Sequence, residues 1–200
     1  MELFEIAPSG NCHKIRLFLS LLQVPYQSVQ VDVAKLEQKS EPFLKMNPFG
    51  HVPVLKDGAS VVWDSQAILI YLARQYATPP WLPLDAVGMA RVMEWLSTAA
   101  NEVAHGPSAL RVHYKFGLAI AMEQAQQLTA AVMKILEQHL KAEDWLAADH
   151  ITIADIAVYP YIALAPEGKI DLTPYPAICQ WLGRIQALPN YVGMPNMWQK

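Results

Sequence analysis

Polar and apolar residues alternate over 2–6, which predicts a short strand, and after 7–11 the apolar set Ile15, Leu17, Phe18, Leu19, Leu21 and Leu22 predicts a helix ending near Val24-Pro25. Val29, Val31 and Val33 alternate as a second strand, and 34–46 is polar with scattered apolar residues. Two short apolar runs, Val54-Leu55 and 60–63, flank Asp57-Gly58 as a hairpin, and a helix follows at 66–76. This strand, helix, strand, hairpin, helix order predicts a four-stranded mixed sheet with helices on its faces. Ala-Thr-Pro-Pro-Trp-Leu-Pro at 77–83 then interrupts all regular structure. Helical windows follow at 87–115, 117–141, 153–164 and 176–187, so the second half reads as all-helical. Thr152 and Asp155 have the spacing of a capping box at the start of the third window. The expected division is an α/β domain at 1–76, a linker at 77–86 and an all-α domain at 87–200.

Composition narrows the class. Two hundred residues, 53% of them hydrophobic, can fill one large core or two small ones, and the break at 77–83 favours two. Fifteen Lys and Arg against 18 Asp and Glu leave a formal charge of −3, which points to neither a nucleic-acid partner nor a polybasic membrane anchor. No apolar run approaches a membrane span, and the opening Met-Glu-Leu-Phe-Glu lacks the positive segment of a signal peptide, so a cytoplasmic location is expected. Cys12 and Cys179 are far apart in sequence, which suits reduced thiols, and the six histidines and two cysteines show no tight ligand spacing, so no metal is expected.

The candidate chemistry lies at 43–65 and just upstream. Pro53 opens the hairpin at a point where a central strand could not spare an amide. A cis Val52-Pro53 bond there would bend the chain and leave the N–H and C=O of Val52 facing outward, able to hold an extended peptide as a strand would. Asp64-Ser65 opens the following helix, whose amides and dipole favour a carboxylate. Ser9 falls in the loop after the first strand, three residues before the first helix, where its hydroxyl and the helix amides can converge on one ligand atom. A thiolate suits that place, because a helix N-terminus lowers a thiol pKa from about 8.5. A serine alkoxide is far too costly at neutral pH, so Ser9 would act by donating a hydrogen bond rather than as a base. Serine at such a position more commonly only caps the helix. Asn11 is a second donor, and Cys12, at the helix start, a third candidate; a free cysteine is more often a small buried hydrophobe, so the order is Ser9, Asn11, Cys12.

This set, Ser9 with His13-Lys14-Ile15, Lys39-Ser40, Asn47 to Leu55 and Asp64-Ser65, resembles the cytosolic glutathione transferases over nearly the whole chain. The resemblance implies a thioredoxin-like first domain that binds glutathione as co-substrate. Within it, Ser65 would take the γ-glutamyl carboxylate, Asp64 the ammonium and Val52 with Pro53 the cysteinyl backbone; Lys39 would take the glycine carboxylate. Gln38 replaces a histidine often found before that lysine, and His51 replaces a glutamine or lysine; its charge would appear only as pH falls toward about 6.5. The helical domain would hold a small hydrophobic electrophile, with Trp95, Asn101, Glu102, His105, Leu110, Arg111 and Tyr114 as candidate cleft residues. The family is mostly dimeric, so Asn101 or Glu102 is a candidate contact to the second subunit's glutathione, and Phe49 a candidate to insert into the neighbour. The expected reaction is conjugation of the glutathione thiolate to an electrophile, as in detoxification. Two rivals stay open: glutathione-dependent disulfide reduction on the same site, and a non-catalytic transferase-like scaffold that binds another protein.

Overall fold

The structure, a computed structural model, describes residues 1–78 and 81–199, so Pro79 and Pro80 of the expected linker lie outside the described residues. Strands β1 (Glu2–Glu5), β2 (Gln27–Gln30), β3 (Val54–Asp57) and β4 (Ser60–Trp63) form one mixed sheet in the order β2-β1-β3-β4. β2 runs parallel to β1 and needs a crossover, which helix α1 (Gly10–Leu21) supplies; β3 and β4 join antiparallel through a tight turn. The alternation at 29–33 predicts a strand lying later than β2. The ladder ends where the Val31 amide bonds the Glu5 carbonyl, after which Val33 bonds back to Val31 and turns the chain away. The polar stretch 34–46 contains a short helix, α2 (Glu41–Met46), whose Phe43 is buried with Val31 and Val54. One apolar side chain is enough to seat six residues, too few for periodicity to register. Helix α3 (Ser65–Gln75) closes the α/β half.

The window 87–115 predicts one long helix, and the structure has three: α4 (Ala86–Ala100), α5 (Glu102–His105) and α6 (Pro107–Phe116). Asn101 leaves helical geometry at ψ −81°, as does Gly106 at ψ −103°. Pro107 has no N–H to continue a helix and instead occupies the first position of the next. Then come α7 (Met122–Ala142), α8 (Ile153–Ala163) and α9 (Pro176–Gln186).

Helix α8 is buried along its whole length and packs against α1, α3, α4 and α6, so one core runs through both halves. Its start is fixed by the capping box: Ala154 donates to the Thr152 hydroxyl, and Asp155 accepts from the Thr152 amide at 2.9 Å. Asp155 also accepts from the Leu146 amide at 3.1 Å and the Trp181 indole N–H at 2.9 Å. Burial pushes this carboxyl up in pKa, and the hydrogen bonds oppose the rise. Asp155→Ala strands three buried donors, each worth about 1–3 kcal/mol unpaired. The expected result is a loss of about 3 kcal/mol or more in unfolding free energy, checked by denaturant titration.

Candidate active site

The sheet register gathers three chain segments at one end. Phe4 pairs with Val54 and Val54 with Trp63, so the chain leaving β1, entering β3 and leaving β4 meet there. These segments carry Ser9, Val52-Pro53 and Asp64-Ser65.

Ser9 is the N-cap of α1, directly before Gly10 rather than three residues ahead of the helix, and its Oγ accepts from the Cys12 amide at 3.2 Å. Accepting leaves the hydroxyl proton free to be donated, so capping and a hydrogen bond to a ligand sulfur are compatible. Asn11 is half-buried in the same first turn. Cys12 has no exposed surface, and burial pushes its thiol up, the Ser9 contact opposing. A buried protonated thiol is a poor nucleophile at neutral pH, so the geometry speaks against Cys12 as the sulfur-activating group.

The Val52-Pro53 peptide bond is cis, and neither the N–H nor the C=O of Val52 has a hydrogen bond among the described residues. The loop before it is braced by a residue that sequence reasoning gave no role. Asn47 is buried, donates to the His51 carbonyl at 2.8 Å and accepts from the Phe49 amide at 3.0 Å. Lys39 bonds the same loop through the Phe49 carbonyl at 2.8 Å. Gly50, at φ +60°, makes this approach possible: a Cβ there would lie 2.5 Å from the Gln38 carbonyl oxygen. Lys39 and His51 are thus brought together, both exposed, with the His51 ring on Phe49. Helix α3 begins one residue earlier than the pattern predicts. Asp64 caps it by accepting from the Gln66 and Ala67 amides at 2.8 and 3.4 Å, and Ser65 is buried at its first position, among the orphan amides of the helix start.

Across the site stands Tyr161 of α8, another residue the pattern did not single out. Its ring lies so close to Gly10 that a Cβ there would meet a ring carbon at 2.7 Å. Burial raises the Tyr161 phenol in pKa, with Ser108, Arg111 and the Asn11 backbone opposing. Lys14 lies one turn along the same face of α1, 1% exposed, its ammonium 5.6 Å from the Tyr161 ring centroid. Burial pushes that ammonium down to about 8, and Asp64 opposes the shift. His13 beside it is fully buried and neutral, held down to about 3 by burial and by Arg16. Contacts between α1 and α8 join residues far apart in the chain, and the sole local signal is a glycine at the first helical position.

The sequence profile of the glutathione S-transferase N-terminal domain matches residues 8–75, and that of the C-terminal domain matches 100–189. The chain belongs to the glutathione S-transferases. Disulfide-bond oxidoreductase YfcG of Escherichia coli is 30% identical over 195 residues, covering 92% of this chain and 89% of that protein. Maleylpyruvate isomerase of a Ralstonia species is 32% identical over 187 residues, covering 89% and 88%. A crystal structure of a glutathione S-transferase from Xanthobacter autotrophicus superposes with a TM-score of 0.89 at 31% identity, over 98% of this chain and 97% of that one. As a glutathione S-transferase the chain is an enzyme with a thioredoxin-like sheet half and a helical half. None of the described helices is long and apolar enough to cross a membrane, and no group of three or more His, Cys, Asp or Glu among the described residues could hold a metal ion.

The helical candidates of this transferase separate onto different faces because α4, α5 and α6 are separate helices. Trp95 and Glu102 line a groove of about 1110 Å³ between α4 and α7, with the Trp95 ring 5.1 Å from that of His139. Asn101 is exposed and donates to Glu102, and the exposed His105 ring bonds the Asn101 carbonyl at 2.9 Å. Leu110 belongs to the core. Arg111, expected in the cleft, is instead buried in an ion pair with Glu167, which also holds Lys115 and Asn196. A guanidinium shielded from water and already paired is not a free cation for an acceptor. Tyr114 is partly exposed under the Lys169 ammonium, 4.3 Å from its ring centroid.

Gly10→Ala forces the first turn of α1 away from Tyr161. The expected outcome is a stability loss of about 1–3 kcal/mol, typical of overpacking, with a raised KM for glutathione. Adding Tyr161→Leu should recover the stability, and steady-state kinetics with thermal melts check both.

Proposed function

We propose that this glutathione S-transferase conjugates glutathione to small hydrophobic electrophiles in the cytoplasm, with 1–76 holding glutathione, 77–86 linking and 87–200 supplying the acceptor side. The observation that carries the reading is the Ser9 hydroxyl at the α1 N-terminus, its proton available, beside the open backbone edge of Val52 and the α3 N-terminus. The Val52 N–H and C=O suit the cysteinyl backbone, the Ser65 amide and hydroxyl the γ-glutamyl carboxylate, and Asp64 its ammonium. Lys39 and His51 stand where the glycine carboxylate would end. Ser9, with Asn11 in support, donates to the sulfur and the α1 dipole favours its anion. The thiolate attacks the acceptor carbon; with a chlorinated aromatic the C–S bond forms and chloride leaves with the C–Cl pair. Holding the two reactants together supplies the rest of the acceleration. Free thiols at Cys12 and Cys179 suit a reducing compartment.

Ser9→Ala should lower turnover with a chlorinated aromatic acceptor by roughly 10²-fold, the usual scale for one oriented donor, and Cys12→Ala only slightly. The reverse ordering of the two rates would sink the assignment. The 30% identity to a disulfide-bond oxidoreductase favours a second reading, glutathione-dependent disulfide reduction on the same site. In that case turnover of 2-hydroxyethyl disulfide exceeds that of the aromatic acceptor.

A homodimer completes the proposal. Phe49 is 61% exposed on the loop braced by Asn47, and the α4–α7 groove, with Val87 and Ile135 exposed at its lining, offers an apolar seat of suitable size on a second copy. That arrangement carries Glu102 and Asn101 to the subunit boundary, where either can reach the other subunit's γ-glutamyl ammonium. Phe49→Ser should shift the equilibrium toward monomer at micromolar concentration in sedimentation equilibrium; a wild-type chain that is monomeric there would remove the dimer.

A further inference from the structure

Two fully buried ionisable side chains of α1, His13 and Lys14, have no hydrogen bond or ion pair among the described residues, and with the imidazole neutral, Lys14 is the one that carries charge. Glu5 pairs with Arg16, Arg111 with Glu167, Glu137 accepts from the Ala177 and Ile178 amides, and Asp155 from its three donors. Lys14 is equally buried, yet its ammonium has no hydrogen bond or ion pair among the described residues. Asp64 attracts the ammonium without forming an ion pair with it, and a buried charge with no contacting partner is unfavourable, so the place beside it suits an anion supplied from outside the chain.

The fold says where that anion sits. Side chains on a helix lean toward its N-terminus, and the Lys14 ammonium lies 5.6 Å from the centroid of the Tyr161 ring, the same ring that fills the space over Gly10. The ammonium is thereby directed to the first turn of α1, where Ser9 and the helix dipole already favour negative charge. The charged and titratable groups around it are Asp64 at the α3 cap and Tyr161 of α8, with Cys12, His13 and Arg16 on its own helix; Arg111 of α6 reaches the cluster through Tyr161. Cys12 and His13 are uncharged at neutral pH, and Arg16 is spent on Glu5. We propose that Lys14 is a further residue of the active site, the counter-charge to the glutathione sulfur anion. The sulfur's proton leaves to solvent on binding, and the ammonium, weakly hydrated in its pocket, stabilises the thiolate through space.

The inference rests on the reading of this site as glutathione's, and its test separates the two. Binding of glutathione and of S-methylglutathione, which has no ionisable sulfur, is measured by calorimetry for wild type, Lys14→Met and Lys14→Arg, and the bound thiol is titrated by its thiolate ultraviolet absorbance. Lys14→Met should raise the titration midpoint by about one unit, a tenfold loss of thiolate below the midpoint, while S-methylglutathione affinity stays within about twofold. Lys14→Arg should restore the midpoint. In wild type, the Lys14 Cε chemical shift should titrate higher with glutathione bound than with S-methylglutathione, a measurement that holds even if a variant does not fold. An unchanged midpoint, an equal loss of affinity for both ligands, or an equal effect of both ligands on the Lys14 titration would overturn the assignment to sulfur. Failure of the wild type to bind either ligand would overturn the glutathione reading beneath it.

Discussion

Helix α8 is apolar on every side, and a helix of that kind is stable only when other elements surround it. The chain meets this demand by packing α1 and α3 from the sheet half and α4 and α6 from the helical half against it. The two halves therefore share a core and cannot be positioned independently. Asp155 holds the start of this helix to the loop before it and to α9, so the packing frame is fixed by hydrogen bonds as well as by shape. The site inherits its geometry from the same frame, because Tyr161 on α8 sets the height of the first turn of α1 through its contact with Gly10.

Charge follows from this arrangement. Two helix N-termini, those of α1 and α3, open at the end of the sheet where β1, β3 and β4 bring Ser9, Val52 and Ser65 together. Each favours an anion over the first turn, and neither carries an acidic residue within that turn, Asp64 lying at the cap itself. A tripeptide with two carboxylates and an ionisable thiol distributes its negative charge to match. The bulk charge of −3 therefore says little about the site, where two helix N-termini favour an anion.

What could be read from the sequence were the features whose cause is local. Pro53 at a strand start, Asp64 before an apolar helix and the Thr152–Asp155 spacing each act within a few residues, and all three are found where the pattern puts them. The single helix expected at 87–115 failed because hydrophobic periodicity persists across the Asn101 and Gly106-Pro107 breaks, where backbone angles rather than side-chain polarity change. Arg111 misled for another reason. Residue type suggested a cation in the cleft, while burial and the Glu167 partner, both products of long-range packing, withdraw it; Cys12, ranked last as a small buried hydrophobe, is buried. Lys14 is the converse: nothing in the local pattern marks it as buried, and Tyr161, contributed by a distant segment, lies against its ammonium.

The strength of thiolate stabilisation bears on which chemistry such a site can run. A thiolate becomes less nucleophilic as its pKa falls, with a Brønsted slope near 0.4–0.5, so lowering the pKa far below ambient pH gains no more anion and loses reactivity. In the proposed site the stabilising groups would be one hydroxyl that already caps a helix, one helix dipole and the Lys14 ammonium, a modest field compared with a fully ionised cluster. By that relation a thiol that titrates near ambient pH is best placed to attack an uncharged carbon or a disulfide sulfur alike. In the proposed reading the choice between those acceptors would fall to the helical half, where Arg111 is tied to Glu167 and shape and apolar contact would remain as the means of selection.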